Sequence, residues 1–190
     1  MPQPIRVFIA APIPRALTVF LKNIQARLRS PRMDVRWLAA ENIHLTLKFL
    51  GNIERSRVSA VGAQMDVSAG QTGTFTLHAR GIGVFPNRRH PRVLWVGLGG
   101  ELDRLVEIQA VLESNLESVG FGKESRRFHP HLTIGRIRHR IDARILGASL
   151  DSLEEIASDS FRVERLALIK SDLKPAGAEY SLLHTSQLAV

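Results

Sequence analysis

Cysteine is missing from this chain of 190 residues. No disulfide framework can therefore hold the fold, and a reducing cytoplasm is a permitted location. Long apolar runs are missing too: none approaches membrane-spanning length, and residues 1–11 lack the apolar core of a secretory signal. These absences predict a cytoplasmic protein without a membrane segment. Hydrophobic residues still make up 44% of the chain, enough to bury one core, so we expect a single domain over residues 1–190.

Several motifs of well-known enzyme classes are also missing. The chain contains no Walker-type phosphate loop, no GxGxxG and no GxSxG, so neither nucleoside triphosphate hydrolysis nor serine hydrolase chemistry has support. The zinc-binding pattern HExxH is missing as well. Any chemistry that the chain performs must rest on other residues.

Positive charge, in contrast, is in excess. The 26 lysines and arginines outnumber the 18 acidic residues, and the formal net charge of +8 favours polyanionic partners. Part of the excess is clustered, at residues 87–92, 123–127 and 136–140, which indicates contact with a nucleic acid or a nucleotide. The alternative is that the arginines, which outnumber the lysines throughout, reflect genomic base composition and are only solvated.

A short pattern occurs twice in the chain, as His44-Leu45-Thr46-Leu47 and as His131-Leu132-Thr133-Ile134. On a β-strand successive side chains point to opposite faces, so the His and Thr of each copy share one face while the aliphatic residues pack behind them. One copy has little weight, because half-exposed strands of antiparallel sheets also alternate in this way. Two copies with matching apolar partners predict two related strands, each presenting an imidazole and a hydroxyl.

A metal site is an alternative for these histidines. His129, Pro130 and His131 form an HxH step whose imidazoles could share one strand face, although His129 could equally serve only to orient its neighbour. Among acidic residues, only Glu41 and Glu124 lie near the motifs. We therefore predict a site with two histidines and with no metal or other cofactor.

Hydrophobic periodicity alternates between strands and helices without a linker, which predicts an α+β protein with mostly antiparallel strands. If each HxT strand lies in its own small sheet and the sheets face each other across a cleft, a pseudo-two-fold axis brings the histidines together from opposite sides. The predicted strands cover residues 5–11, 35–38, 44–50, 75–84, 93–98, 161–171 and 180–188, with one more beginning at His131, and the predicted helices cover 14–28, 55–67, 102–119 and 150–157.

The motifs and their surroundings resemble the two-histidine phosphoesterases, and within them the bacterial and archaeal RNA 2′,3′-cyclic phosphodiesterases once named 2′-5′ RNA ligases. The resemblance implies a bilobal fold, with two mostly antiparallel sheets facing across a central cleft and helices on the outside. It also implies metal-independent hydrolysis of 2′,3′-cyclic phosphate ends, or of cyclic nucleotides, to 2′-phosphomonoesters. The similar segments are residues 6–10, 36–37, 42–51, 81–86, 91–97, 128–136, 166–171 and Tyr180.

The chemistry of such a site depends on the two imidazoles. In-line displacement at phosphorus needs a base on one side and an acid on the other, and imidazole serves in either state near neutral pH. By resemblance, His44 is the acid on the 3′ oxygen and His131 is the base on water. We expect Thr46 and Thr133 to donate hydrogen bonds to the non-bridging oxygens as charge builds there.

Phe49 and Arg136 each follow a motif histidine by five positions. The resemblance implies that Phe49 stacks on a base and that Arg136 contacts the phosphate or the base. In a regular strand an odd offset points away from the histidine, so this pair reaches the cleft only if the strands bulge or twist. The alternative for Phe49 is ordinary core packing.

Two other functions stay open at this point. A binding module could hold RNA ends or nucleotides in the same cleft without turnover. An enzyme of the same superfamily could act on another small cyclic phosphate or join RNA reversibly through 2′-5′ linkages. As partners we expect RNA ends bearing a 2′,3′-cyclic phosphate or small cyclic nucleotides, with no membrane, no obligate protein partner and a monomeric state.

Overall fold

The chain folds into strands and helices that alternate along most of its length. A computed structural model describes residues 3–30, 33–139, 141–175 and 177–189. Within these ranges it forms nine strands and four α-helices. None of the four helices is long and apolar enough to span a membrane. The strands are β1 (Ile5–Ala11), β2 (Val35–Trp37), β3 (Leu45–Ile53), β4 (Phe75–Phe85), β5 (Val93–Gly100), β6 (Leu132–Ile137), β7 (Phe161–Val163), β8 (Arg165–Lys174) and β9 (Gly177–Gln187), and the helices are α1 (Arg15–Leu28), α2 (Val58–Gly70), α3 (Leu102–Ser118) and α4 (Ala143–Asp151).

The described strands form one nine-stranded sheet, so the two motif strands do not lie in separate sheets as expected. The sheet has two antiparallel halves that meet at a single pair. The first half follows the order β9, β8, β1, β3, and the second follows β6, β5, β4, β7, with β2 also paired to β6. The link is Leu45 on β3 opposite Leu132 on β6, and both leucines are fully buried. Each half contains the same unit, β1–α1–β3 in the first and β5–α3–β6 in the second. The predicted α+β class and bilobal architecture are confirmed, and the duplicated motif marks the two strands at the junction.

The helices α1 and α3 bury matching faces. On each helix four aliphatic residues recur at intervals of three and four, which places them along one side. Burying such a side chain contributes roughly 1.5–3 kcal/mol, so the packing of this face holds each helix on the core. The four buried residues are Leu17, Leu21, Ile24 and Leu28 on α1 and Leu105, Ile108, Leu112 and Leu116 on α3.

The predicted strand 44–50 differs from β3 at both ends. His44 lies immediately before the strand, and β3 continues through Gly51 and Asn52 to Ile53. Gly51 has a φ of +72°, which glycine adopts without strain, and the pairing with β1 shifts in register beside it. The predicted end at Gly51 is wrong because the glycine belongs to a bulge and not to a turn.

The last third of the chain holds two further differences. The helix predicted over 150–157 is wrong: α4 begins after Asp142, whose carboxylate accepts hydrogen bonds from two backbone N–H groups of the first turn. The single strand predicted over 161–171 is in fact two strands. β7 pairs with β4 and β8 with β1, and the chain changes from one half to the other at Glu164.

Candidate active site

The two motif histidines hold equivalent positions, immediately before β3 and before β6. The Nδ1 of His44 lies 2.8 Å from the carbonyl oxygen of Asn42, and the Nδ1 of His131 lies 2.7 Å from that of His129. Because a carbonyl oxygen only accepts, each Nδ1 carries the proton and donates it to this bond. Both imidazoles are therefore held in the tautomer that keeps a lone pair on Nε2.

A bulge in β3 sets the direction of the side chains after the first motif. Thr46 and Lys48 pair with consecutive residues of β1, so Leu47 between them has no partner. The extra residue reverses the alternation of faces. Leu47 and Lys48 are both buried, whereas Phe49 shares the face of Thr46 and is 64% exposed. The core-packing alternative for Phe49 is therefore wrong.

β6 carries the matching bulge at Ile134. Thr133 and Gly135 pair with consecutive residues of β5, and Ile134 between them has no pairing partner on β5. Arg136 consequently shares the face of Thr133 and is exposed. The twin bulges explain how residues at an odd offset of five come to lie on the face of the motif threonines.

The pairing of the two motif strands brings the two halves of the site together. Because β3 and β6 run antiparallel and each begins directly after its histidine, both imidazoles lie beside the same junction. Their proximity is also electrostatic, since the charge of His131 acts on the pKa of His44. Within the described ranges the hydroxyls of Thr46 and Thr133 make no hydrogen bond, which leaves them able to donate to a ligand.

Aromatic rings enclose His44 on two sides. Phe8 stacks on the imidazole, with ring centroids 4.4 Å apart and planes inclined by 24°. Tyr180 lies edge-on, at 5.3 Å from the imidazole and 5.2 Å from the ring of Phe8. This packing removes water from the imidazole and fixes its plane.

His131 has its own aromatic surroundings, which come from the second half. Phe85 and Trp95 lie edge-on to it, at centroid distances of 4.9 and 6.5 Å. The same two rings contact His129, at 5.4 and 5.8 Å, so the two histidines lie on the same side. Gly83 permits this arrangement, because a Cβ atom there would lie 2.3 Å from the Trp95 ring.

Burial lowers the pKa of both histidines. Desolvation, opposed by the hydrogen bond to Asn42 and reinforced by the charge of His131, lowers the pKa of His44 from 6.5 to about 4. Desolvation also lowers the pKa of His131, where the bond to the carbonyl of His129 opposes the shift and the charge of the His129 ring adds to it. Both imidazoles are therefore neutral at pH 7 in the ligand-free protein.

Tyr180 and Arg136 approach each other from opposite halves. Burial raises the pKa of the Tyr180 phenol, while the charges of Arg136 and Arg6 act in the opposite direction. Arg136 on β6 thus lies close enough to interact electrostatically with a phenol on β9. A cavity of about 350 Å³ adjoins His44 and Tyr180, which is within the size range of small-ligand sites.

Each bulge is held from behind by a buried polar side chain from a helix of the other half. Glu113 on α3 accepts a hydrogen bond from Lys48 Nζ at 2.5 Å, and their side chains are only 9% and 5% exposed. Lys48 also donates to the carbonyl of Gly122 at 2.9 Å. On α1, the buried Gln25 donates to the carbonyl of the bulged residue Ile134 at 2.8 Å. Hydrogen bonds therefore connect β3 to α3 and β6 to α1.

The sequence alone predicts no role for the rings of Phe8, Phe85, Trp95 and Tyr180. Their rarity is a signal, since the chain has one tyrosine and two tryptophans and these lie in segments that resemble the two-histidine phosphoesterases. No local pattern connects a ring on β1 with a ring on β9, so the enclosure itself required the structure.

A metal site has little support in this geometry. In the part of the chain that the structure describes, no three histidine or acidic side chains are placed to hold a metal ion together. The HxH step at His129 and His131 has no third ligand among those residues.

The duplicated strand–helix–strand unit and the paired HxT strands define a two-histidine site at the junction of two related halves. The model of the family described as LigT like Phosphoesterase matches residues 11–95 and 97–180, and each segment contains one motif. The chain belongs to this LigT-like phosphoesterase family, which confirms the predicted resemblance.

Similar proteins match along nearly the full length of the chain. It is 30% identical over 184 residues to an RNA 2′,3′-cyclic phosphodiesterase of Methanothermobacter thermautotrophicus, covering 97% of this chain and 99% of that protein. It is 32% identical over 169 residues to a protein of the same name from Aeropyrum pernix, covering 89% and 95%. Crystal structures of TT0787 from Thermus thermophilus and of E. coli LigT complexed with 3′-AMP are each 25% identical, with TM-scores of 0.79 and 0.76. They cover 96% and 99% of this chain and 97% and 100% of their own.

Proposed function

We propose that this protein is an RNA 2′,3′-cyclic phosphodiesterase that hydrolyses 2′,3′-cyclic phosphate ends and small cyclic nucleotides to 2′-phosphomonoesters. The observation that carries the proposal is the pair of imidazoles beside one strand junction. Each donates from Nδ1 to a backbone carbonyl, which leaves its Nε2 able to take up or release a proton. This arrangement suits in-line displacement at phosphorus, which needs a base and an acid on opposite sides. The shared name of the relatives from Methanothermobacter thermautotrophicus and Aeropyrum pernix supports the choice of substrate.

Each motif residue then has a role in one displacement. His131 takes a proton from water at Nε2, and the water oxygen forms a bond to phosphorus. The bond from phosphorus to the 3′ oxygen breaks. His44, which takes up a proton at Nε2 when the anionic phosphate binds, delivers that proton to the oxygen. Thr46 and Thr133 donate hydrogen bonds to the non-bridging oxygens, where negative charge grows in the transition state.

Phe49 and Arg136 hold the rest of the substrate. The exposed ring of Phe49 stacks on the base, as aromatic side chains do at single-stranded nucleic acids. Arg136, on the face of Thr133, binds the phosphate through charge-assisted hydrogen bonds. The absence of a cofactor, the monomeric state and the cytoplasmic location stay predictions.

The first test is hydrolysis of 2′,3′-cyclic AMP by single variants. His44→Ala and His131→Ala should each lower the rate by about two to four orders of magnitude, because each removes one partner of the proton transfers. His184→Ala is the matched control. His184 lies near the end of β9 and contacts Asp66 on α2 at 2.8 Å, so this substitution should leave the rate unchanged. Excess EDTA should not inhibit. Full inhibition by EDTA with rescue by a divalent ion, or an active His131→Ala variant, would contradict the proposal.

A further inference from the structure

A second cavity, of about 240 Å³, opens beside the turn between β4 and β5 and the residues that follow β6. Its lining residues are distinct from those that surround the histidines. We call it the arginine groove, after the basic side chains that line it: Arg89, His90, Arg92, Arg138 and His139. Arg140, the last residue of the same basic cluster, lies outside the described residues.

The guanidinium groups of the arginine groove are not neutralised by neighbours. Arg89, Arg92 and Arg138 are exposed, and their side chains make no hydrogen bond or ion pair to any residue within the described ranges. Two acidic side chains of this region contact other groups: Asp34 lies 3.4 Å from His139, and Asp151 lies 3.0 Å from Arg88, which does not line the groove. The positive potential of the groove is therefore available to an anion.

The turn that carries two of these arginines is held by hydrogen bonds. Asn87 Oδ1 accepts from the backbone N–H groups of Arg89 at 3.0 Å and of His90 at 2.9 Å. The N–H of Arg92 donates to the carbonyl of Phe85 at 2.7 Å and closes the turn. An asparagine in this position fixes the local backbone, so the arginines project from a defined frame.

The arginine groove lies beyond the candidate active site in the direction of β6, where the pairing of β5 with β6 ends. Arg136, on the face of the motif threonine, pairs with Val93. One step farther out, Ile137 donates its N–H to the carbonyl of Arg92 at 2.9 Å, and the groove begins there. At a strand rise of about 3.3 Å per residue, Arg138 lies ~15 Å beyond the motif threonine. An RNA chain whose 3′ end occupies the cleft spans this distance with its next few nucleotides.

We propose that the arginine groove binds backbone phosphates of RNA upstream of the terminal cyclic phosphate. The inference rests on the proposed function and names its substrate class: the ends of RNA chains in preference to free cyclic nucleotides. Guanidinium groups offer planar, paired donors that match phosphate oxygens. Such contacts position a chain without reading its sequence. A cyclic mononucleotide has no upstream phosphate, so the groove does not act on it.

The test compares 2′,3′-cyclic AMP with a short oligoribonucleotide that ends in a 2′,3′-cyclic phosphate. The groove variant is Arg89→Ala/Arg138→Ala, and the charge-matched control, Arg55→Ala/Arg165→Ala, removes two exposed arginines outside the groove. For the groove variant, kcat/KM on the oligonucleotide should fall about tenfold at low salt, and its salt dependence should flatten by roughly 0.7 in the log–log slope per lost phosphate contact. Its kcat/KM on cyclic AMP should not change, and the control should behave as the unmodified protein on both substrates.

The outcomes separate this inference from the function on which it rests. An equal loss on both substrates, or no loss on the oligonucleotide, overturns the groove proposal but leaves the proposed function standing, because hydrolysis of cyclic AMP reports that function alone. If the unmodified protein hydrolyses neither substrate, both proposals fail. Fluorescence anisotropy with an oligonucleotide carrying a 2′-phosphate adds a readout without turnover: the groove variant should bind more weakly, and unchanged binding overturns the inference.

Discussion

At the scale of single residues, the site depends on two imidazoles whose properties are set by what surrounds them. Phe8 and Tyr180 desolvate His44, and Phe85 and Trp95 line the surroundings of His131. The HxT pattern predicts these two histidines because the motif is local. Their low pKa values could not be predicted, since the rings that bury them come from strands distant in sequence. The motif therefore predicts which histidines form the site, whereas their protonation depends on the fold.

The lowered pKa values of His44 and His131 predict that kcat/KM has its optimum at acidic pH. The proposed reaction needs one imidazole protonated and the other neutral, so kcat/KM should peak between their two pKa values, and burial lowers both pKa values below 6.5. We therefore expect kcat/KM for 2′,3′-cyclic AMP to be highest below pH 6.5 and to fall about tenfold per pH unit well above the peak. The kcat profile, which reports the complex, should peak at higher pH because an anionic phosphate raises both pKa values.

A variant of the aromatic surroundings provides the control for this profile. Tyr180→Ala hydrates His44 and should move the kcat/KM optimum to higher pH, whereas Leu173→Ala, at a side chain that is 67% exposed, should not move it. A kcat/KM optimum above about pH 7 for the unmodified protein would mean that burial does not set the protonation of the site.

At the scale of elements, the twin bulges are the feature that makes the site. Hydrophobic alternation predicts β1, α1 and α3 within a few residues, because these elements bury one regular face. It does not predict the bulges at Leu47 and Ile134, since a bulge is defined by the pairing with a neighbouring strand and not by the strand itself. The same reason explains why Gly51 was expected to end β3. Long-range pairing also separates β7 from β8, although the two are nearly continuous in sequence.

The buried pair behind the first bulge makes a prediction about stability. Lys48→Met should lower the free energy of unfolding by about 3–5 kcal/mol, because it leaves the carboxylate of Glu113 buried without its counter-ion. The matched control is Lys22→Met. The Lys22–Glu41 pair has the same 2.5 Å separation but is 53% and 65% exposed, and such pairs contribute at most about 1 kcal/mol.

A double variant separates the pair from its surroundings. Lys48→Met/Glu113→Leu should recover much of the loss, because apolar replacement of both partners leaves no unpaired charge. Urea denaturation of the three variants provides the measurement. Equal, small losses for Lys48→Met and Lys22→Met would show that the bulge does not depend on this contact.

At the scale of the whole molecule, one unit is used twice and the site lies where its copies meet. The pairing of Leu45 with Leu132 brings the two HxT strands into register, and the match of the family model to two segments follows the same division. The repeat predicts the two-fold arrangement from sequence. The differences between the copies do not follow from the repeat: Phe49 has Arg136 as its counterpart, and the arginine groove belongs to the second copy alone. The backbone of the two halves is therefore nearly symmetric, whereas the side chains of the site are not.

This asymmetry makes the product of the reaction the most direct test. Cyclic phosphate opening yields a 2′- or a 3′-monoester, depending on which sugar oxygen lies in line with the attacking water and within reach of the acid. With His44 on the 3′ oxygen and His131 on water, hydrolysis of 2′,3′-cyclic AMP should give the 2′-phosphate alone. Phosphorus NMR of the product decides the question. A single 2′-phosphate resonance agrees with two fixed histidines in these roles, whereas a predominantly 3′-phosphate product would reverse their roles and a mixture would mean that the site does not hold the ribose in one orientation.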